Sequence, residues 1–489
     1  MPTTRGDSDL ELVQAVKDGT IGEFAQSARY QGAGSSVVNA TKVDNTMDII
    51  GDYPLNVVGF APGYPRSGKG DPAMQAGAVE LAKQADVVLL YIGLDEISES
   101  ESLDRPHMRL PQSQTSLLQA VSAVNPNIVA VMSAGSAVEM PWLDQCRAVI
   151  HGYLCGQAGA GAMLQAILGE INPSGKLAES YPIQYEDVPS APYFPAKQRN
   201  AEYREGPFVG YRYYETAKIP VLFPFGFGLS YTTFVYSGLT VSESEVVFTL
   251  TNTGTADGAE AAQVYVGKED AQVFRPAKEL KGFAKIFLKA GESKTVTIPL
   301  DGRAFRYFNV KTNRFEVEGG EYQIMVGASA ADIRLTGTVS VAGTGAENPY
   351  NARELADYYS GTIKAVSDRQ FELLLGRPIP DGSWSGTLTM NDAICQMYYA
   401  KSGLARFVYR RLTGMLNKSL EKGTPNLNLM FNYNMPFRGI AKMTGGICTA
   451  ESAGGILTMV NGHFFKGLGQ IISGFVHAGK KHKAADAIR

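Results

Sequence analysis

Five carboxylate side chains fall within ten residues of one another, directly after a short apolar run. The run is DVVLLYI (residues 86–92), and the acids that follow it are Asp95, Glu96, Glu99, Glu101 and Asp104. Closely spaced like charges make full ionisation costly. We therefore expect at least one of these carboxyl groups to stay protonated near neutral pH, as a general acid must. On composition alone, a solvated acidic loop is the simpler interpretation.

The apolar run belongs to a pattern of alternating strands and helices over residues 1 to about 190. Continuous apolar segments predict strands at 55–60, 86–92, 128–132 and 148–153. A helix over 114–124 carries its apolar residues on one face: Leu117, Leu118, Val121 and Val124. This pattern predicts a mostly parallel sheet with helices on both faces. Ligands bind at the carboxyl ends of such strands, so we expect the site in the loops after Ile92, Met132 and Tyr153.

From about residue 232 to 342 the apolar residues alternate with a period of two. The segments TVTIPL and EYQIMVG show this alternation, and NTGTADG and EGGEY are typical of turns. The pattern predicts an all-β antiparallel sandwich. A linker is expected at 343–351, and the remaining sequence predicts a mainly helical tail.

The helical tail is strongly basic. Residues 401–489 contain 13 lysines and arginines against 3 aspartates and glutamates, a net charge of +10 that leaves −13 for residues 1–400. We expect the tail to dock onto the acidic part of its own chain or of a second copy, although a basic arm for another partner remains open. Asn461, His463 and Lys466 interrupt the last apolar run, 455–477, and argue against a membrane-spanning helix.

The composition excludes several classes of protein. The 489 residues have a net charge of −3 and a charged fraction of 19%, which is typical of a folded chain of two or three domains. A pI near 6.1 argues against nucleic-acid binding. The four cysteines and five histidines lack metal-ligand spacing, and no complete nucleotide-binding motif is readable, so we expect no metal and no cofactor. Without a signal-like or membrane-spanning stretch, we expect a cytoplasmic protein with no nucleic-acid or membrane partner.

Several motifs resemble glycoside hydrolase family 3, the β-glucosidase and β-xylosidase family. The string ESESLDRPHMRLPQSQ is similar to that family's SEGxDR…LPxxQ segment, and further matching stretches occur in the same order: ARYQGAGSSVVNATKVD, GQAGAGAMLQAILGEINPSGKLAESYP, EYREGPFVGYRYYE, FPFGFGLSYTTF and ELKGFAKIFLKAGES. The resemblance covers about residues 22–342. It implies a remnant of a barrel-end helix at 1–20, an α/β-sandwich domain at 21–231, a fibronectin-III-like domain at 232–342 and the helical basic tail at 343–489.

The resemblance also implies roles for particular residues. The family's general acid/base falls on Glu101, and Ser102 replaces the glycine that follows it in the family. Ser35 corresponds to a loop that touches the sugar in family members. Asp104 and Arg105 are candidate substrate-binding residues, although an ion pair that holds the loop is the favoured interpretation. The aromatic cluster of residues 211–227 is expected to pack in the core or between domains rather than to stack on a sugar.

The nucleophile expected in the family is not readable here. Family members take it from an SDW-like segment of a preceding TIM barrel, whereas Trp142 and Trp384 stand in MPWLDQ and GSWSG. Retaining glycosidases need two carboxylates about 5 to 5.5 Å apart. We therefore expect a β-glucosidase-like retaining hydrolase that is inactive alone, acting on a β-linked glucoside or oligosaccharide with a barrel-bearing partner chain or as a homo-oligomer. The alternative is a non-catalytic carbohydrate- or subunit-binding fragment.

A shortened first strand is also expected from this resemblance. The sequence TIGEF stands where the family has a complete strand. We expect an edge or gap in the sheet there, and hence self-association.

Overall fold

A five-stranded parallel sheet forms the centre of the first domain in the computed structural model, which describes residues 16–101, 103–196, 198–384, 386–421, 426–444 and 447–486. The strands lie in the order β2-β1-β3-β4-β5, with bounds β1 Lys17–Ile21, β2 Asn56–Ala61, β3 Val87–Gly93, β4 Ile128–Ser133 and β5 Ala148–His151. All four predicted strands are confirmed. The predicted mostly parallel sheet is therefore also confirmed.

The first strand does not leave an edge or a gap, so that expectation is wrong. Strand β1 pairs in parallel with β2 on one side and with β3 on the other, and Ile21 is fully buried. Five residues suffice because both neighbours satisfy the backbone of β1. Of the helix remnant expected at 1–20, residues 1–15 lie outside the described part of the chain. Residues 17–20 belong to strand β1 and not to a helix.

Helices cover both faces of the sheet, as the sequence predicted. The helices of this domain are α1 Glu23–Gln26, α2 Thr46–Ile49, α3 Pro72–Gln84, α4 Gln112–Ser122, α5 Gly159–Ile167 and α6 Tyr211–Ala217. Leu90 and Ile92 of β3 pack in one core with α3 and α4. Leu89 and Tyr91, which point the other way, pack in a second core with α1 and α5.

The second domain is an antiparallel β-sandwich, as predicted. Its sheets have the orders β11-β10-β15-β16 and β12-β9-β8, next to the hairpin β13-β14. The strands are β8 Phe234–Val241, β9 Glu245–Asn252, β10 Gly258–Gly267, β11 Glu279–Leu288, β12 Ser293–Pro299, β13 Arg306–Asn309, β14 Arg314–Val317, β15 Gly320–Gly327 and β16 Ile333–Val341. The alternating residues read from the sequence lie in its core: Val296, Ile298, Leu300, Tyr322, Ile324 and Val326. Before it, β6 Tyr181–Pro182 pairs with β7 Val221–Phe223.

The described residues after the β-sandwich are mainly helical, as predicted. They are α7 Ala356–Ser360, α8 Asp368–Leu375, α9 Gly403–Glu421, α10 Leu427–Asn434, α11 Gly439–Met443, α12 Ala450–Val460 and α13 Phe464–Asp486. In the described part of the chain, we find no helix with both the length and the apolar character needed to cross a membrane.

Two ion pairs join the segment that precedes the basic stretch to the first domain. Arg204 pairs with Asp368 at 2.7 Å, and Arg199 pairs with Asp392 at 2.9 Å. Both aspartates lie before residue 401, so these two pairs do not test docking of the basic residues 401–489 on the acidic part of the chain. Among the described residues, no lysine or arginine of 401–489 forms an ion pair with residues 1–400.

Candidate active site

The acidic loop begins where β3 ends, at the carboxyl edge of the sheet. Asp95 is buried and closes a turn, because its carboxylate accepts a hydrogen bond from the Ser98 amide at 2.7 Å. The Glu99 amide donates to the Asp95 carbonyl at 3.1 Å. The loop that the sequence singled out thus lies at the ligand-binding edge of a parallel sheet.

Two arginines from other segments hold this loop. The buried Arg29 donates to the carbonyl oxygens of Leu94 and Glu99, each at 3.1 Å. Arg66 forms a two-point contact with the Glu96 carboxylate, at 2.6 and 3.1 Å. Burial acts to raise the pKa of Glu96, but the hydrogen bonds and charge of Arg66 outweigh it and lower the pKa.

Glu101 is exposed and is held against the loop that contains Ser35. One carboxylate oxygen of Glu101 accepts a hydrogen bond from the Ser35 amide at 2.5 Å, and the Glu101 amide donates to the Ala33 carbonyl at 3.0 Å. Hydrogen bonds from the Ser35 side chain and backbone lower the pKa of Glu101. Gly34, at φ +114°, passes so close that a Cβ atom there would lie 2.6 Å from the Glu101 carboxylate.

The expectation of a protonated carboxyl group on this loop is wrong for Glu96 and Glu101. The pKa of each is lowered rather than raised. Like-charge crowding does not dominate, because Glu96 is paired with an arginine and Glu101 with a backbone amide. In this conformation Glu101 is ionised near neutral pH and can act as a base.

A recess of about 420 Å³ opens beside the Glu101 carboxylate. It is lined by Gly32, Ala33, Ser35, Ser36, Glu99, Ser100, Glu101, Leu103, Arg105, Gly135 and Leu154. The fold therefore brings together Ser35, Glu101 and Arg105, which their positions in the sequence do not by themselves predict. Glu99 also lines the recess, so two carboxylates face it.

The Glu99 carboxylate is already engaged by the protein. Its oxygens accept hydrogen bonds from the Gly135 amide at 2.8 Å and from the Ser136 hydroxyl at 3.1 Å. Arg29 lies 3.9 Å from the same carboxylate. A carboxylate held by three partners is a poor nucleophile, because attack would cost it these contacts.

Arg105 and Asp104 do not form the expected ion pair. The Arg105 guanidinium donates to the Ser136 hydroxyl at 2.6 Å and to the Ala137 carbonyl at 3.3 Å. Asp104 is exposed, does not line the recess, and pairs with no cation in the part of the chain that the structure describes. Arg105 therefore anchors its end of the loop to the segment that follows β4, without help from Asp104.

The aromatic cluster packs inside the protein. Tyr211 stacks on Phe225 with ring centroids 4.7 Å apart and lies beside Tyr265 of the second domain. Its hydroxyl accepts a hydrogen bond from the Leu280 amide at 2.8 Å. The interpretation as packing between domains is confirmed.

The sequence did not predict the contacts of Arg29 and Arg66 with the loop, nor the contact between His151 and Tyr181. The Tyr181 hydroxyl lies 2.7 Å from a His151 ring nitrogen, at the end of β5. Burial lowers the pKa of His151 to about 4, so the ring is neutral near pH 7. No spacing signal could have joined these residues, because Tyr181 stands 30 positions from His151 and Arg66 stands 30 from Glu96. Among the described residues, no three acids, histidines or cysteines are arranged to hold a metal ion.

Comparison with family models identifies both predicted domains. Residues 15–231 match the Glycosyl hydrolase family 3 C-terminal domain. Residues 260–330 match the Fibronectin type III-like domain. These matches agree with the parallel and antiparallel sheets described above.

Curated relatives and solved structures show the same likeness. The chain is 46% identical over 356 residues to an exo-α-(1→6)-L-arabinopyranosidase of Bifidobacterium breve, covering 71% of this chain and 47% of the relative. It is 44% identical over 350 residues to thermostable β-glucosidase B of Acetivibrio thermocellus, covering 69% and 46%. A crystal structure of a Bifidobacterium adolescentis GH3 β-glucosidase aligns with a TM-score of 0.66 and 43% identity, over 73% of this chain and 54% of that one. The chain spans about half the length of the curated relatives it matches.

Proposed function

Because the chain carries the C-terminal domain of glycosyl hydrolase family 3 followed by a fibronectin type III-like domain, we propose that it supplies the acid/base half of a retaining glycosidase site. The single observation that carries this proposal is the Glu101 carboxylate beside a sugar-sized recess at the carboxyl edge of the parallel sheet. Glu101 protonates the leaving oxygen and then, as a base, activates water. Ser35 and Arg105, which line the same recess, bind the sugar, and Asp104 contacts it from the rim.

The nucleophile, in this proposal, comes from a separate barrel-bearing polypeptide. The other carboxylate of the recess, Glu99, is occupied by Gly135, Ser136 and Arg29. A nucleophilic carboxylate brought next to Glu101 would also raise the pKa of Glu101, because two like charges at that distance resist ionising together. The chain by itself is then a very slow catalyst.

The substrates we propose are β-linked glucosides or oligosaccharides, with α-L-arabinopyranosides as the second sugar class. The relatives are named for both activities. We also propose a cytoplasmic location. A homo-oligomer is the alternative to a barrel-bearing partner chain. Cell fractionation and sedimentation velocity test these two points.

The experiment compares the chain alone with a chimera that adds the part of the Acetivibrio thermocellus relative that this chain does not cover. Both are assayed with aryl β-D-glucoside and aryl α-L-arabinopyranoside. We expect hydrolysis by the chimera only, with a loss of about 10²-fold or more in Glu101→Gln. The matched control is Glu80→Gln, which removes a carboxylate from the solvent side of α3. Glu101-dependent hydrolysis by the isolated chain would refute the need for a second polypeptide.

A non-catalytic module that binds carbohydrate or a subunit is the second candidate. It is favoured by the lowered pKa of Glu101, which its hydrogen bonds to Ser35 impose. Sugar binding by the isolated chain that persists in Glu101→Gln, together with an inactive chimera, would support this candidate instead.

A further inference from the structure

Helices α12 and α13 form a closely packed hairpin in the basic helical segment. The contact is made by glycines: a Cβ atom at Gly455 would lie 2.7 Å from the Gly467 carbonyl oxygen. Two turns further along α13, Gly474 is buried against Ser452 of α12. Small residues therefore let α13 bury one narrow face against α12, and the rest of α13 faces outward.

The outward surface of α13 carries a continuous apolar stripe. Its members recur at the spacing of one helical face and are all exposed: Phe464, Phe465, Leu468, Ile472, Phe475 and Val476. Phe465 exposes 86% of its surface and Ile472 exposes 56%. Single exposed apolar residues are ordinary, but a stripe of six on one helix marks an interaction surface.

The helix that carries this stripe is basic, with four lysines and one aspartate. Lys466 is exposed beside it, and Lys480, Lys481 and Lys483 follow in the same helix. Of the acidic residues, Glu451 of α12 is already engaged with His477 at 2.9 Å. Among the described residues, no lysine or arginine of 401–489 forms an ion pair with residues 1–400, so the positive charge of α13 favours an anionic partner.

A second copy of α13 fits this surface poorly. Helix α13 has a net positive charge, from four lysines and one aspartate, which a second copy of the same helix would repel and not neutralise. An anionic bilayer fits both parts of the surface. Phenylalanine, leucine and isoleucine enter the boundary between headgroups and acyl chains, while lysines contact lipid phosphates.

We propose that α13 docks on the surface of an anionic lipid bilayer, with its apolar stripe inserted and its axis parallel to the membrane. The hairpin lies on the bilayer and does not cross it, in agreement with the finding on spanning helices. This proposal departs from the sequence-based expectation of no membrane partner. The proposal is independent of the glycosidase site.

Vesicle flotation with the full chain tests the proposal. The probes are vesicles of phosphatidylcholine alone and vesicles of equal parts phosphatidylcholine and phosphatidylglycerol. We expect at least about tenfold tighter binding to the anionic vesicles, weakened by raised salt because screening shortens the reach of the lysines. Equal binding to both vesicles, or binding to neither, would overturn the proposal.

The stripe itself is tested by the double substitution Phe465→Asp and Ile472→Asp. Both side chains are exposed, so the fold is kept, and unchanged circular dichroism and thermal unfolding verify this. The matched control is Phe283→Asp, an exposed phenylalanine of β11 outside the segment. We expect vesicle binding to be lost in the double variant and kept in the control; binding lost equally in both would contradict the assignment.

A depth measurement separates insertion from simple charge attraction. In Phe465→Trp, we expect a blue-shifted tryptophan emission on adding anionic vesicles, relative to the wild-type chain with Trp142 and Trp384. An unshifted emission contradicts insertion. A concentration-dependent dimer that the double variant abolishes would assign the stripe to a second copy instead.

Discussion

At the scale of single residues, the site is defined by what restrains each carboxylate. Glu96, Glu99 and Glu101 each have a different partner: Arg66, the segment after β4, and the Ser35 amide. Each carboxylate is held by different neighbours, and the pKa values of Glu96 and Glu101 are lowered rather than raised. Glu101 and its partner Ser35 both line the recess, and the protonation of Glu101 depends on what is brought next to it.

Gly34 controls the position of Glu101. Substitution Gly34→Ala places a Cβ atom 2.5 Å from the Glu101 Cβ and strains a backbone at φ +114°. We expect the carboxylate to be displaced, with a loss of about 10²-fold in kcat of the chimera. Gly68→Ala is the matched control, since it has a φ of +89° with open space around it. Equal losses of activity in the two variants would show that strain, and not Glu101, is responsible.

Asp18 of β1 gives the chain a pH-dependent stability. Burial, and then the charge of Asp86, raise the pKa of this carboxyl group to about 6. A raised pKa means that the protonated form stabilises the fold, and that this contribution is lost as pH rises through about 6. Relative to Asp18→Asn, the wild type should lose about 1 to 2 kcal/mol of unfolding free energy between pH 5 and pH 8.

Urea unfolding at the two pH values measures this loss. Asp52→Asn, an exposed acid before β2, serves as the control and should track the wild type. A free-energy difference between wild type and Asp18→Asn that is the same at pH 5 and pH 8 would contradict the raised pKa of Asp18.

At the scale of secondary-structure elements, the periodicity of apolar residues predicted most of the fold. The four strands and the β-sandwich followed from it because buried faces demand regular spacing. The position of β1 between β2 and β3 did not follow, since strand order depends on contacts between distant segments. The acidic loop was enough to locate the site in the sequence. Arg29 and Arg66, which hold the loop, lie in distant segments, and no sequence pattern links them to it.

Helix α4 follows the predicted pattern of buried apolar residues along its length but not at its C-terminal end. Leu117 is fully buried, whereas Val124, predicted on the same face, exposes 38% of its surface beyond the end of the helix. We expect Leu117→Ala to lower the free energy of unfolding by about 2 to 5 kcal/mol. Val124→Ala should change it by less than about 0.5 kcal/mol. Chemical denaturation of both variants measures these changes. Similar losses of unfolding free energy in the two variants would contradict the difference in burial between Leu117 and Val124.

At the scale of the whole molecule, a buried ion pair joins the first domain to the β-sandwich. Lys176 lies 3.1 Å from Glu260, and the Tyr236 hydroxyl donates to the same carboxylate at 2.9 Å. Lys176, in the loop between α5 and β6, therefore lies at the domain boundary. Removing one charge leaves the other buried and unpaired.

We expect Lys176→Met to cost about 3 to 5 kcal/mol of unfolding free energy. The double variant Lys176→Met with Glu260→Gln should recover much of this loss, because no charge is then left unpaired. Calorimetry of the single and double variants measures both effects. Additive losses in the double variant would rule out a coupled pair.

The role of Glu101 as proton donor is tested most directly by the dependence of rate on the leaving group. In the chimera, Glu101→Gln should cleave a poor leaving group about 10²-fold or more slowly than wild type. Release of a dinitrophenyl group, which needs no protonation, should be nearly unaffected in the first step. Equal slowing of both substrates in Glu101→Gln, or wild-type rates with both, would contradict Glu101 as the acid.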